Sequence, residues 1–207
     1  MTMEGEPVIG ARLAEKFRVS RATVTETLAR LRVEGYVEQD PDKSVHLTED
    51  GRVLTERVLR RHRLAERLLF DLVGLDWISA HEQAHTLEHG MTEELADQIS
   101  ERLGHPLTCP HGNPIPGNAA VAFEFLREQG AFRLSDARRD QVLSVVLISE
   151  VVEDESEVLR NLSGKGIRPG SGLRVIDSDS DSVVFDASGS VRSVTRSLAT
   201  KIWVSLA

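Results

Sequence analysis

The chain has 207 residues and a mass of 22.9 kDa, long for a single small core, so two or three compact units are expected. Hydrophobic residues at 40% and charged residues at 28% exclude a wholly disordered chain. The net charge of −8 excludes a cationic coat over the whole surface, and residues 1–63 hold 12 basic and 11 acidic side chains, leaving 13 of the 25 basic and 22 of the 33 acidic residues for the rest. Any nucleic-acid face must therefore be local and N-terminal.

Cys109 is the one cysteine, so no intrachain disulfide can form. No stretch approaches the ~20 apolar residues of a membrane helix, and MTMEGEPVIG has neither the basic start nor the apolar run of a signal peptide. A reducing cytoplasm is the expected compartment.

In chain order, VIGARLAEKF places Ile9, Leu13 and Phe17 on one helical face, and RVS breaks the helix. Ser20 is positioned to cap a second helix, RATVTETLARLRVEG, with Val24, Leu28 and Leu31 inward and Gly35 as its stop. YVEQD, PDK and SVHLT read as a hairpin with Val37, Val45 and Leu47 in its strands. Helix, turn, helix and hairpin make a winged helix-turn-helix.

Thr48 caps a long helix expected to run to Gly74. Its Val53, Val58, Leu59, Leu64, Leu68 and Leu69 exceed a single stripe, which calls for a second neighbour such as a partner subunit. A further helix is expected from near Ser79 to Gly104, followed by the proline-rich loop HPLTCPHGNPIPG and a short helix within residues 118–135. From about Asp136, β-rich runs separated by Gly, Ser and Asp, including the polar turn DSDSDS at Asp177–Ser182, predict a small antiparallel barrel of about 70 residues.

The side chains with metal chemistry lie on the two central helices. His62 and Glu66 are one turn apart, as are His81 and His85, with Glu88 and His89 a turn further on. Imidazoles and carboxylates converging from two helices are the ingredients of a divalent metal site. HEQAH at His81–His85 also matches the zinc-hydrolase pattern HEXXH, with Glu82 as the residue that would polarise water. Cys109 and His111 are a weak signal in a proline-rich loop and read as structural.

RHRLAERLL at Arg61–Leu69, AHEQAHTLEHGMT at Ala80–Thr92 and CPHGNPIPG at Cys109–Gly117 together resemble the diphtheria toxin repressor family, the iron- and manganese-dependent transcriptional repressors. The resemblance spans nearly the whole chain. It implies a mainly α protein with a small β domain: a winged helix-turn-helix at 1–48, a helical metal-binding and dimerisation domain at 49–117, a linker at 118–135 and an SH3-like (FeoA-like) domain at 136–207.

It also implies two metal sites per chain. His62, Glu66 and His81, with Glu155 from the C-terminal domain, correspond to an ancillary site, and His85, Glu88 and His89 to the primary, regulatory site. On this assignment the two histidines of HEQAH serve different metals, which argues against the hydrolase. Where this chain has His85, the iron sensors have cysteine and several manganese sensors a carboxylate. A nitrogen and oxygen set suits Mn(II) or Fe(II), with a lean towards manganese. The family also has an earlier helix with a further primary-site ligand, so either the start is truncated or water completes the site.

The resemblance places Ser20, Arg21, Ala22, Thr23, Thr25, Glu26 and Arg30 on the DNA-facing helix, and Glu26 can accept a hydrogen bond from cytosine N4. Arg12, Lys16, Arg18 and Arg32 extend its positive face. The expected protein is a cytoplasmic, non-enzymatic homodimer that binds a palindromic operator when Mn(II) or Fe(II) is bound, with no membrane and no small organic substrate. The alternatives are a metal-dependent hydrolase and a metal-independent DNA-binding regulator.

Overall fold

The computed structural model of the protein describes residues 8–120, 122–149 and 156–207. They fall into two compact units, one ending at Leu59 and the other beginning at Arg60.

The first unit holds α1 (Gly10–Lys16), α2 (Arg21–Val33), β1 (Val37–Gln39), β2 (Val45–Leu47) and the start of α3 (Glu49–Leu68). Ser20 caps α2 by accepting from the Thr23 amide at 3.0 Å. The strands pair antiparallel, with Glu38 opposite His46, and the turn between them is closed by Asp42, which accepts from the Ser44 amide at 2.9 Å. Thr48 caps α3 through the Gly51 amide at 3.0 Å and donates to Gly35 O at 2.6 Å, joining the end of α2 to the start of α3. Ala14, Val24, Val37 and Val45 are buried. Phe17 departs from the expected inward stripe: α1 ends at Lys16, and Phe17, as its C-cap, is 62% exposed.

In the second unit the end of α3 widens into a π-helical turn at Leu69–Val73, closed by Gly74 at φ +82°, a left-handed conformation that glycine adopts without a Cβ penalty. Of the apolar residues expected to exceed one stripe, Val53 and Val58 are exposed, Leu64 is fully buried in the helical core, and Leu68 and Leu69 pack against that core; Leu54, Phe70, Leu72 and Val73 are exposed as well. The single helix expected from Ser79 to Gly104 is two, α4 (Trp77–Gly90) and α5 (Glu93–Arg102). Met91 is extended at ψ 120° and Thr92 starts α5 afresh by capping Leu95. A threonine that satisfies a helix N-terminus competes with continuing the previous helix, and Gly90 has the low propensity that lets it end.

Asp76 caps α4, accepting from the Ile78 and Ser79 amides at 3.0 and 3.1 Å. The hydrogen bonds from Ser79 and Ile78 hold its carboxyl below the usual range. Asp76→Ala should cost about 1 kcal/mol and lower the melting temperature by roughly 2–4 °C at neutral pH. Because the folded-state pKa is depressed, this contribution is present above about pH 4 and fades as acid protonates the carboxylate. Thermal melts of both proteins at pH 7 and pH 3 should converge at the lower pH.

The C-terminal part comprises α6 (Ala122–Glu128), β3 (Phe132–Arg133), β4 (Val142–Ile148), α7 (Ser156–Gly164), β5 (Gly172–Ser178), β6 (Ser182–Ala187), β7 (Ser190–Thr195), α8 (Arg196–Ala199) and β8 (Ile202–Leu206). The strands form one six-stranded sheet in the order β3-β8-β4-β5-β6-β7, antiparallel at every pairing. Register shifts at Val145/Leu147 and Val175/Asp177 are the irregularities that let a sheet curl. On β6, Val183, Phe185 and Ala187 face inward and alternate with Ser182, Val184 and Asp186. The sequence gives no strand-period signal for α7, whose Leu159 and Leu162 are fully buried in the same core. Among these strands, β7 and β8 are separated by α8, which Thr195 caps through the Leu198 amide.

Trp77 and Ile78 at the start of α4 belong to this barrel core, whereas Leu64, Ala65, Ala84, Met91, Ala96, Ile99 and Ile115 form a separate helical cluster. The first turn of α4 is thus anchored in the barrel while its later turns face α3.

Candidate metal centre

Ala65 on α3 and Ala80 and Ala84 on α4 are completely buried. Such small side chains let helix backbones approach closely, bringing the ionisable side chains beside them into contact. His81 Nδ1 lies 2.7 Å from Glu66 Oε1, His62 Nε2 lies 3.3 Å from the same oxygen, and His62 Nε2 is 3.3 Å from His81 Nδ1. His62 Nδ1 reaches Glu88 Oε2 at 2.7 Å. His85 Nδ1 is 3.9 Å from Glu88 Oε1, and the His85 ring lies 4.7 Å from that of His62 and 5.0 Å from that of His81. His89 Nδ1 approaches Glu88 Oε1 at 3.7 Å and donates to His85 O at 2.6 Å, with 78% of its side chain exposed.

The six histidines and glutamates singled out on α3 and α4 therefore fall into one continuous cluster, with His62 bridging Glu66 and Glu88. His62, His81 and His85 offer donor atoms within 4.8 Å of one another, and so do Glu66, His81 and His111. Glu155 lies outside the described residues.

His111 is the member of the cluster that sequence reasoning set aside. It is fully buried, its Nδ1 is 3.3 Å from Glu66 Oε1, and its ring stacks on Trp77 at a centroid distance of 5.0 Å. Its position in the order Cys109-Pro110-His111 resembles a loop fragment, and the helical spacing that exposed the other ligands has no counterpart there. The loop is held by backbone bonds from Cys109 N to Asn113 O at 2.9 Å and from Gly112 N to Cys109 O at 2.9 Å. It is also fastened to β4: Ile148 N donates to His111 O at 2.9 Å, and Asn113 Nδ2 donates to Ile148 O at 3.0 Å.

Gly112, at φ +87°, permits this approach, because a Cβ there would stand 2.2 Å from Val146 O and 2.7 Å from Leu147 Cα. Gly112→Ala combines a left-handed backbone with a clash against main chain and should cost on the order of 3 kcal/mol. Denaturant unfolding of the two proteins should show the midpoint lowered with an unchanged slope.

Glu66 is completely buried. Burial pushes its carboxyl up, but hydrogen bonds from His111, His62 and His81 and the charge of His111 more than offset this, holding it well below the usual carboxylate range. It is thus an anion among imidazoles. Among the described residues neither Glu66 Oε2 nor His111 Nε2 has a hydrogen-bond partner. Buried polar atoms are ordinarily satisfied, so this under-satisfied set of nitrogen and carboxylate donors fits a divalent first-row cation.

Glu82 does not join the cluster. It is exposed and accepts from Ser156 Oγ at 2.6 Å, with Arg160 Nη2 at 3.5 Å, which turns it towards α7. The HEQAH segment thus supplies two histidines to the cluster while its glutamate faces elsewhere.

In the first unit Ser20, Arg21, Ala22, Thr23, Thr25, Glu26 and Arg30 are all exposed. Three of these side chains are already engaged locally: Ser20 Oγ and Thr23 Oγ1 are 2.8 Å apart, and Thr25 Oγ1 donates to Arg21 O at 2.8 Å. The remaining polar side chains on this face start with Arg21 and Glu26.

A winged helix followed by a histidine and carboxylate cluster between helices and a small barrel defines a metal-responsive DNA-binding regulator. Family models match the three parts in order: the iron dependent repressor N-terminal DNA binding domain over residues 2–45, the iron dependent repressor metal binding and dimerisation domain over 48–117, and the FeoA domain over 132–206. The chain belongs to the diphtheria toxin repressor family of iron- and manganese-dependent transcriptional repressors. It is 38% identical over 177 residues to the diphtheria toxin repressor of Corynebacterium efficiens, covering 84% of this chain and 77% of that one. It is 35% identical over 179 residues to the iron-dependent repressor IdeR of Mycobacterium tuberculosis H37Rv, covering 83% and 77%. Among solved structures, a manganese-dependent transcriptional repressor in complex with manganese aligns with TM-score 0.82 at 30% identity, over 98% of this chain and 92% of that one. The IdeR of T. acidophilum aligns with TM-score 0.78 at 28% identity, over 97% and 90%.

Proposed function

We propose that the protein is a non-enzymatic, cytoplasmic homodimeric repressor that binds a palindromic operator when Mn(II) or Fe(II) occupies two sites per chain. The observation that carries this reading is the Glu66 cluster: a fully buried carboxylate receiving three imidazoles, with its second oxygen unpartnered among the described residues. Glu66 and His81, with His62, would hold one cation, and His85, Glu88 and His89 the other. A bound cation would supply positive charge to which these side chains, on separate helices, could all be drawn.

A ligand shifts a conformational equilibrium only through differential affinity, so the DNA-binding arrangement must be the one in which the ligands are brought together. The exposed face of α2, from Ser20 to Arg30, would enter the major groove, with two copies reading two half-sites. The exposed apolar residues Phe70, Leu72 and Val73 of the π-helical turn that follows α3 supply a surface for the second subunit. With nitrogen and oxygen donors at the His85 site, manganese is favoured over a metal that selects thiolate. The likeness to a manganese-dependent repressor supports the same choice.

Anaerobic calorimetry of the chelator-stripped protein with Mn(II) tests this. Two binding events are expected, one of them lost in the His85→Ala, Glu88→Ala, His89→Ala variant, and no binding by the unaltered protein overturns the reading. Mn(II) at a hundred times its dissociation constant should stabilise the fold by about 2.7 kcal/mol and raise the melting temperature by roughly 5–10 °C. The orientation of Glu82 disfavours the hydrolase, for which Glu82→Gln would abolish activity; here it should leave Mn(II) affinity unchanged. A metal-independent regulator would show neither binding event.

A further inference from the structure

Glu82 stands between His81 and His85 in the sequence yet faces away from the cluster that both of them enter, and the metal reading gives it no role. Its Oε1 accepts from Ser156 Oγ at 2.6 Å and lies 3.5 Å from Arg160 Nη2. Ser156 and Arg160 are one turn apart on α7 and so share a face, and from 74 and 78 residues away they meet the same carboxylate oxygen. α7 is itself seated in the barrel core by Leu159 and Leu162, both fully buried. Trp77 and Ile78 anchor the first turn of α4 in that same core. An anchor at one end leaves the rest of a helix free to pivot about it. A second contact at Glu82, about one turn further on, removes that freedom.

We propose that Glu82 is a positioning residue that latches α7 of the barrel to α4 and so fixes the turn of α4 that carries His81 and His85. Glu82 is not a ligand in this account and acts only through the helix. Ligands that are already held in place bind more tightly than ligands that must be ordered on binding, because the ordering cost is removed beforehand. The latch thus raises metal affinity from the side of the helix that faces away from the metal. By linkage, a bound cation holds α7 more firmly on α4 in return. The proposal rests on the metal-sensor reading.

The test compares the full chain with Glu82→Ala, Ser156→Ala, the double variant and Glu82→Gln. Calorimetry with Mn(II) is expected to show affinity weakened about two- to fivefold by Glu82→Ala and equally by Ser156→Ala, the range of one exposed charged contact. The double variant should lose no more than either single one, because one change already breaks the contact. Glu82→Gln, whose amide oxygen still accepts from Ser156 Oγ, should keep the affinity of the unaltered chain. Hydrogen exchange should show Mn(II) slowing exchange across residues 157–164 in the unaltered protein and in Glu82→Gln, and no such slowing in Glu82→Ala. Ser156→Ala leaves the Glu82 charge in place, so a loss there reports position and not electrostatics. Unchanged affinity in both alanine variants, or losses that add in the double variant, overturn the proposal while leaving the metal site standing. A loss in Glu82→Gln as large as in Glu82→Ala also overturns it, since the charge and not the contact would then be responsible. Absence of Mn(II) binding to the unaltered protein overturns the metal-sensor reading itself.

Discussion

Replacing Glu66 by glutamine is expected to lower Mn(II) affinity at the Glu66–His81 site by at least about 100-fold, since even the loss of a residue that only orients a ligand costs about 10–100-fold. Glu66 is completely buried, and its carboxylate is the anionic centre on which His62, His81 and His111 converge. Glutamine keeps the shape and one acceptor but carries no charge, so a cation would enter a nearly dry site with only dipoles to meet it. Without metal the same change leaves imidazoles facing an amide, while His62 keeps its contacts to Glu88 at 2.7 Å and to His81 at 3.3 Å. Calorimetry should therefore show one of two binding events disappear from the accessible range. Retention of both at unchanged affinity would place the cation elsewhere.

The second large effect is expected from the His85→Ala, Glu88→Ala, His89→Ala variant, in which metal should no longer strengthen DNA binding. Allosteric coupling between two sites is typically 1–3 kcal/mol, which corresponds to a change in DNA affinity of roughly 5–150-fold between metal-loaded and stripped protein. The variant should bind DNA with the affinity of stripped protein at every Mn(II) concentration. Glu88 makes this set more than a surface patch, because its other carboxylate oxygen is bonded to His62, so the sets on α3 and α4 share a residue pair. An unaltered metal response in the variant would assign regulation to the Glu66 site alone.

Much of this arrangement was legible in the amino-acid order. Helical spacing put His62 with Glu66 and His81 with His85 on common faces, and the structure brings these faces together, because the repeat of 3.6 residues is a local property. The winged helix was legible for a related reason: Ser20, Gly35 and Thr48 are caps and stops whose hydrogen bonds are made within a few residues, and the structure shows Ser20 and Thr48 making them. Two local breaks escaped: Phe17 sits at the C-cap of α1 instead of on its inner face, and Met91 and Thr92 divide one expected helix into two. The rest was decided by tertiary contact. α7 owes its place to Leu159 and Leu162 fitting the barrel core. His111 was undervalued for the same reason. Its partners Glu66, Trp77 and Ile148 are 45, 34 and 37 residues away, and no spacing rule within the loop reports them.

The α2 face is read in the same terms. Ser20 and Thr23 are engaged with each other, which leaves Arg21 and Glu26 as the side chains freest to meet base edges or phosphates. A local cationic face on an acidic chain is consistent with binding that depends on a second signal, because non-specific electrostatic attraction to DNA is weak.

Fluorescence anisotropy of the full chain on a duplex recovered by selection, measured at fixed ionic strength in Mn(II) and again in excess chelator, tests the central claim most directly. The account predicts that affinity rises at least about fivefold with Mn(II) and returns to the stripped value when chelator is added. Equal affinity under both conditions would contradict it and leave a DNA-binding protein whose histidine cluster does not control DNA.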